Sequence, residues 1–114
     1  MKTYSIEILI FSLCFYVNTQ NTVYFVDHPH SANFNIYITD QENISDITIC
    51  FVDVKHLADK CELWYEVKNK NDAKFLIYKT SKRNQADIVV FITKSKNFIK
   101  IRNINKIKKL NICN

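Results

Sequence analysis

VYFVDHPHSAN, running from Val23 to Asn33, decides the fold because the chain returns to it. IYITDQENISD starts at Ile36, ICFVDVKHLAD at Ile49, LWYEVKNKNDAK at Leu63, IYKTSKRNQAD at Ile77 and VFITKSKNFIK at Val90. The starts lie 13, 13, 14, 14 and 13 residues apart. Each unit is aliphatic, then aromatic, then mostly apolar. A polar stretch follows, then a small residue (Ala32, Ser45, Ala58, Ala73, Ala86, with Ile99 in the last unit), then usually an acid or amide. Such a unit is too short for a strand plus a helix. It fits one strand of about seven residues and a connection of about six.

Extending each strand back by two residues exposes a period of two. One face carries Phe34-Ile36-Ile38, Ile47-Ile49-Phe51, Cys61-Leu63-Tyr65, Phe75-Ile77-Lys79 and Ile88-Val90-Ile92, with Val23 and Phe25 opening the series. This nearly apolar face is the predicted core. The other face places Tyr24, Tyr37, Trp64, Tyr78 and Phe91 among polar or β-branched neighbours, as on a half-wet face or one covered by a second layer. The prediction is an all-β, compact domain of six or seven short strands built from a 13–14-residue repeat. After Ile99 the pattern fades. Ile101, Ile104, Ile107 and Leu110 are spaced by three, which reads as a last irregular strand or a short C-terminal helix.

The chain has no glycine. Walker loops, dinucleotide turns, nucleophile elbows and EF-hand loops all need glycine where the backbone takes positive φ or meets a phosphate, so all are excluded. Tight primed hairpin turns are disfavoured for the same reason. Asn33, Asp46, Asp59 and Asp87 follow the small residue and are placed to bond the backbone where the next strand begins.

The V-Y-F-V-x5-A-D unit resembles that of an uncharacterised bacterial family, a domain of unknown function built of short tandem repeats. Some small members of it are all-β proteins with a deep, seven-crossing knot. The resemblance runs from Val23 to about Lys100. Departures are Cys50 in an aromatic slot, Asp72-Ala73 in reversed order, and Ile99-Lys100 for Ala-Asp. It implies interleaved strands from non-adjacent units in place of a meander, and with them a knot of a kind that general topology rules make very rare. It carries over no activity and no functional residue.

Ile8 to Val17 is apolar except for Ser12 and follows a small positive start. The run fits a signal-peptide core and is too short to span a membrane. Residues 1–20 are therefore read as a signal peptide or hydrophobic N-terminal segment, and 21–114 as one domain. This predicts export to the periplasm, cell envelope or medium. A cytoplasmic location follows if the segment is not a signal.

Net charge is +5 and unevenly divided. Residues 1–66 hold three lysines and nine acids, giving −6. Residues 67–114 hold thirteen Lys or Arg and two acids, giving +11. Acidic and basic units lying side by side would explain the split. A basic face of Lys94, Lys96, Lys100, Arg102, Lys106, Lys108 and Lys109 would instead meet an acidic polymer (glycan, anionic lipid or nucleic acid) or an envelope protein.

Asp27, His28 and His30, with His56 at the equivalent place two units on, form the candidate metal cluster. The alternative is two polar loops that contain histidines. The aromatic series Tyr24, Tyr37, Trp64, Tyr78 and Phe91 is the candidate binding ladder, or else packing under a second layer. Beyond residue 20 the cysteines are Cys50, Cys61 and Cys113. They allow a Cys50–Cys61 bridge across a simple hairpin, two buried free thiols, or a bridge to Cys113. No cofactor motif and no catalytic constellation stands out. The predicted function is a non-enzymatic structural or binding module, ahead of a basic adaptor for acidic polymers and of a small hydrolase.

Overall fold

The computed structural model describes residues 20–113, so the signal-like stretch falls outside the described residues but for Gln20. Six strands of four or five residues carry the sequence units: β1 (Thr22–Phe25), β2 (Phe34–Ile38), β3 (Ile47–Phe51), β4 (Leu63–Glu66), β5 (Phe75–Lys79) and β6 (Ile88–Ile92). They are rich in β-branched and aromatic residues, which suit a pleated surface buried on one side. A short strand β7 (Lys100–Ile101) and a helix α1 (Ile104–Lys109) follow. The three-residue spacing near the C-terminus thus resolves into a strand and then a helix.

β1 to β6 pair in parallel and close into a barrel in the order β4-β1-β5-β2-β6-β3, with β3 back against β4. β7 adds antiparallel to β3 beside Ile47 and Thr48. Strands from the first three units alternate with strands from the last three. The connections 26–33, 39–46, 67–74 and 80–87 are each eight residues long. Each carries the chain two positions round the barrel, over the outside of one intervening strand. The connection 52–62 is eleven residues long and advances only one position, from β3 to β4. That single step sets the topology. Another two-position step would land on β1, whereas one step lets β5 and β6 enter the gaps left by the first circuit.

Registers fix how the layers stack. Glu66 is level with Val23 and Phe75, and following the pairings through β2, β6 and β3 returns to β4 at the level of residue 54. The stagger is twelve residues over six strands, or two per strand. The strands therefore tilt more steeply than the ~35–45° of commoner barrels. Each level along the axis receives one residue from every strand. Val23, Ile77, Ile36, Val90, Ile49 and Trp64 make the central interior layer, and all six are fully buried. Phe75, Phe34, Ile88 and Ile47 lie one layer towards the strand starts. Phe25 and Phe51 lie one layer towards the strand ends, where Ile38 and Ile92 reach the rim.

The interior positions are spaced 13, 13, 15, 13 and 13, so unit four is aligned on Trp64 and not on Leu63. Cys50 pairs with Leu63 and Phe51 with Trp64. Phe51 packs with the barrel interior, so its partner Trp64 does too, and their rings meet edge to face with centroids 6.2 Å apart. Leu63 faces out, against Cys50, Val52 and Ala58. The sequence reading had Leu63 and Tyr65 inside and Trp64 outside. A slip of one residue reverses every side chain of a strand, and the extra residues of the long connection concealed it.

The turns manage without glycine. Each of the first five connections holds a 3-10 turn closed by the small residue: the N–H groups of Ala32, Ser45, Ala58, Ala73 and Ala86 donate to Pro29, Glu42, Lys55, Lys70 and Arg83 carbonyls. Small side chains fit that tight corner, and its backbone needs no positive φ. Among the described residues only Asn111 has one, 58°, just past α1, where asparagine is tolerated.

The next residue clamps neighbouring strands together. Asn33 N–H donates to the Leu76 carbonyl and Leu76 N–H to Asn33 Oδ1, both at 2.6 Å. Asp46 and Val89 exchange bonds in the same way, both at 2.8 Å, as do Asp87 and Asn35. Lys74 has no acceptor to offer, and Thr22 Oγ1 accepts from its N–H at 2.9 Å instead. The acid or amide thus fastens an incoming strand to the strand just crossed. Asp59 lies in the long connection, which crosses no strand.

Cys61 and Cys113 form a disulfide with Cα atoms 5.0 Å apart, and Cys50 is buried and free. The Cys50–Cys61 bridge needed a hairpin. Because β3 and β4 are parallel, Cys50 lies opposite Leu63 and Cys61 is carried to the start of β4. There it meets the C-terminal segment, whose Ile107 and Ile112 are fully buried in the core cluster.

Candidate functional site

One residue beyond the central layer, Tyr24, Tyr78, Tyr37, Phe91, Cys50 and Tyr65 face outward at a common level on successive strands. The five aromatic residues are half-buried. The turns Pro29–Ser31, Arg83–Gln85 and Lys55–Leu57 lie on β5, β2 and β4 and form a second layer over this belt. Trp64 is not in it. The residue is fully buried, and its Nε1 donates to the Cys61 carbonyl at 2.8 Å. Tyr65 takes the place assigned to it. The signal that could have found Tyr65 is a 15-residue spacing between interior positions 49 and 64.

The connections also arrange the charge. The one bearing Lys68, Lys70 and Lys74 crosses β1, and the one bearing Asp27 crosses β5. Lys82 and Arg83 cross β2; Asp40, Glu42 and Asp46 cross β6; Lys94 and Lys96 cross β3. Basic and acidic connections therefore alternate round the barrel, and the division of charge along the chain does not become two faces. Both ion pairs among the described residues join the second half to the first: Arg102 to Glu42 at 2.8 Å and Lys106 to Asp46 at 3.4 Å. The Arg102 guanidinium also donates to Ser45 Oγ and Thr48 Oγ1, at 2.8 and 2.7 Å. Arg102 and Lys106, read as members of a free basic face, are engaged in holding α1 and β7 against β3. Lys100, Lys108 and Lys109 remain exposed.

No two-position connection crosses β4. Its outer face carries the turn of its own entering connection, 52–62, where Asp53, Asp59 and Glu62 outnumber Lys55 and Lys60, so the alternation continues between the basic connections over β3 and β1. Over the outer face of β4 lies a groove of about 380 Å³ lined by Lys55, Tyr65, Val67, Lys68, Asn69 and Asp72. Tyr65 and Val67 rise from β4 and the start of its connection. Lys55 comes from the turn leading in, and Lys68, Asn69 and Asp72 from the connection leading out.

The histidines do not converge. His28 and His30 stack on each other with ring centroids 5.4 Å apart over β5, whereas His56 sits on the turn over β4, with β1 between them. Among the described residues no group of three or more His, Cys, Asp or Glu is placed to hold a metal. Equivalent positions of units one and three are kept apart because each connection advances the chain round the barrel.

A closed parallel barrel whose chain circles the axis a second time, threading its later strands between the earlier ones, defines a knotted all-β protein. The family model described as the 7(1) septoil knot domain matches residues 22–102, and the chain belongs to that family. The match spans β1 to β7 and stops before α1 and Cys113. No curated protein and no solved structure matches the chain.

Proposed function

We propose that the domain is a non-enzymatic binding module that works outside the reducing cytoplasm and takes an acidic polymer on the basic sector around β4. The carrying observation is a pair of basic connections, over β3 and β1, that place Lys94, Lys96, Lys68 and Lys70 on either side of β4, whose covering turn adds Lys55. The remaining basic connection, over β2, sets Lys82 and Arg83 against Asp87 and is the weaker attractant for a polyanion. The Cys61–Cys113 bridge supports an oxidising compartment, in keeping with the signal-like N-terminal segment. The six strand-and-connection units are, on this reading, tandem copies of one element.

Retention on heparin tests the proposal. The full chain should stay bound at physiological salt, and Lys94→Glu/Lys96→Glu should elute markedly earlier. Lys82→Glu/Arg83→Glu, over β2 between acidic connections, should change elution much less. Elution of the unaltered chain at low salt, or equal effects of the two double variants, would sink it.

A further inference from the structure

The groove over β4 follows from the single-position step. Every other barrel strand has a two-position connection laid across its outer face; β4 has instead the turn Lys55–Leu57 of its own entering connection, and the groove lies between that turn and the connection leading out. We propose that this groove binds an acidic sugar, a pyranose ring bearing a carboxylate. The proposal rests on the acidic-polymer reading and names the unit gripped.

The lining supplies each contact such a ring needs. Tyr65 and Val67 offer an apolar floor on β4 for the flat C–H face of a pyranose. Lys55 and Lys68, from the two connections that border the strand, supply cations for the carboxylate. Asn69 brings an amide with donors and an acceptor, and Asp72 an acceptor-only carboxylate, suited to vicinal hydroxyls. Among the described residues none of these polar side chains is engaged in an ion pair or side-chain hydrogen bond. The charge balance selects the ligand: two ammonium groups beside one carboxylate attract a monoanion flanked by hydroxyls, whereas Asp72 would repel a phosphate dianion. A groove of about 380 Å³ lies at the small end of the ~300–1,000 Å³ usual for ligand clefts.

The experiment follows backbone amides by NMR in the full chain at constant ionic strength. It titrates tetragalacturonate, free galacturonate, neutral maltotetraose and inorganic phosphate. The proposal expects tetragalacturonate to shift the amides of Lys55, Tyr65, Lys68, Asn69 and Asp72. It expects Lys55→Gln/Lys68→Gln, both at exposed positions, to weaken binding about tenfold or more. Lys94→Gln/Lys96→Gln should lower heparin retention while leaving the galacturonate shifts in place. Equal affinity for tetramer and monomer would identify a free sugar acid as the ligand, and a tighter tetramer a polymer. Equal shifts with maltotetraose or with phosphate would overturn the acidic-sugar assignment. Tetragalacturonate binding that leaves the groove amides unmoved would overturn the site and spare the polymer reading. No binding of tetramer and no retention on heparin would remove both.

Discussion

Asp46 and Val89 hold each other twice. The Asp46 N–H donates to the Val89 carbonyl and the Val89 N–H donates to Asp46 Oδ2, both at 2.8 Å. Asp46 thus fastens β3 to β6 at the end of the connection that has just crossed it. Its side chain also meets Asn103 and Lys106. Asp46→Ala leaves the Val89 N–H without its carboxylate in a half-covered site, at a cost of about 1–3 kcal/mol. Asp87→Ala, where the same clamp is exposed, should cost less. Urea denaturation of both variants checks this, and a loss at Asp46 no larger than at Asp87 would contradict it.

Arg102 is expected to matter more for stability than for binding. Its guanidinium bonds Ser45, Thr48 and Glu42 together, and Thr48 is fully buried. Arg102→Ala removes charge-assisted bonds and strands the Thr48 hydroxyl, for a loss of about 2–3 kcal/mol. Lys106→Ala, at a half-exposed ion pair, should lose at most ~1 kcal/mol. Arg102→Lys should recover only part of the loss, since a lysine cannot reproduce the fork. Denaturation midpoints of the three variants give the answer, and equal midpoints for the two alanine variants would contradict the assignment.

Trp64 provides an optical check on the layer assignment. Its ring is fully buried beside Phe51 in the barrel. Emission should be blue-shifted and poorly quenched by iodide in the folded protein, then move red on denaturation. Trp64→Ala should cost about 3–5 kcal/mol through the cavity it leaves. A red, readily quenched native emission would return Trp64 to the outer face.

The disulfide makes a chemical prediction. In a chain cleaved after the first 20 residues, thiol counting on unreduced, denatured protein should find one free thiol, and peptide mapping should place it at Cys50. Closing a loop with sequence separation 52 restricts the unfolded chain by about 4 kcal/mol on the chain-entropy estimate. Cys61→Ser and Cys113→Ser should each lose a similar amount, and the double variant little more. Three free thiols would refute the pairing.

Much of the fold is legible along the chain. Alternation at period two placed Phe34, Ile36, Ile47, Ile49, Phe75, Ile77, Ile88 and Val90 inside, where all are buried. That signal is local, because successive side chains of a strand point to opposite faces whatever the strand pairs with. It failed at β4, where the longer preceding connection sets the interior positions Ile49 and Trp64 15 residues apart and shifts the strand against β3. Nothing local distinguishes Leu63-Trp64-Tyr65 read in one phase from the same residues read in the other. The groove was invisible for a related reason. Lys55 and Lys68 belong to different units, and they come together because of how one connection steps.

By itself the sequence determined the row of six strand units, the side each residue of five of them presents, and turns that need no positive φ because no glycine is available; the strands themselves are four or five residues long with mostly eight-residue connections, not about seven and six. The sequence also placed the acid or amide that closes a unit where it could bond backbone. Tertiary structure alone decided which strands are neighbours, that Cys113 and not Cys50 meets Cys61, that Trp64 is core, and that charges divided along the chain alternate in space. These rest on pairings between residues far apart, such as Asn33 with Leu76, 43 positions on. Such pairings follow from closing a six-stranded ring with one short step, a constraint on the whole chain that no single unit contains.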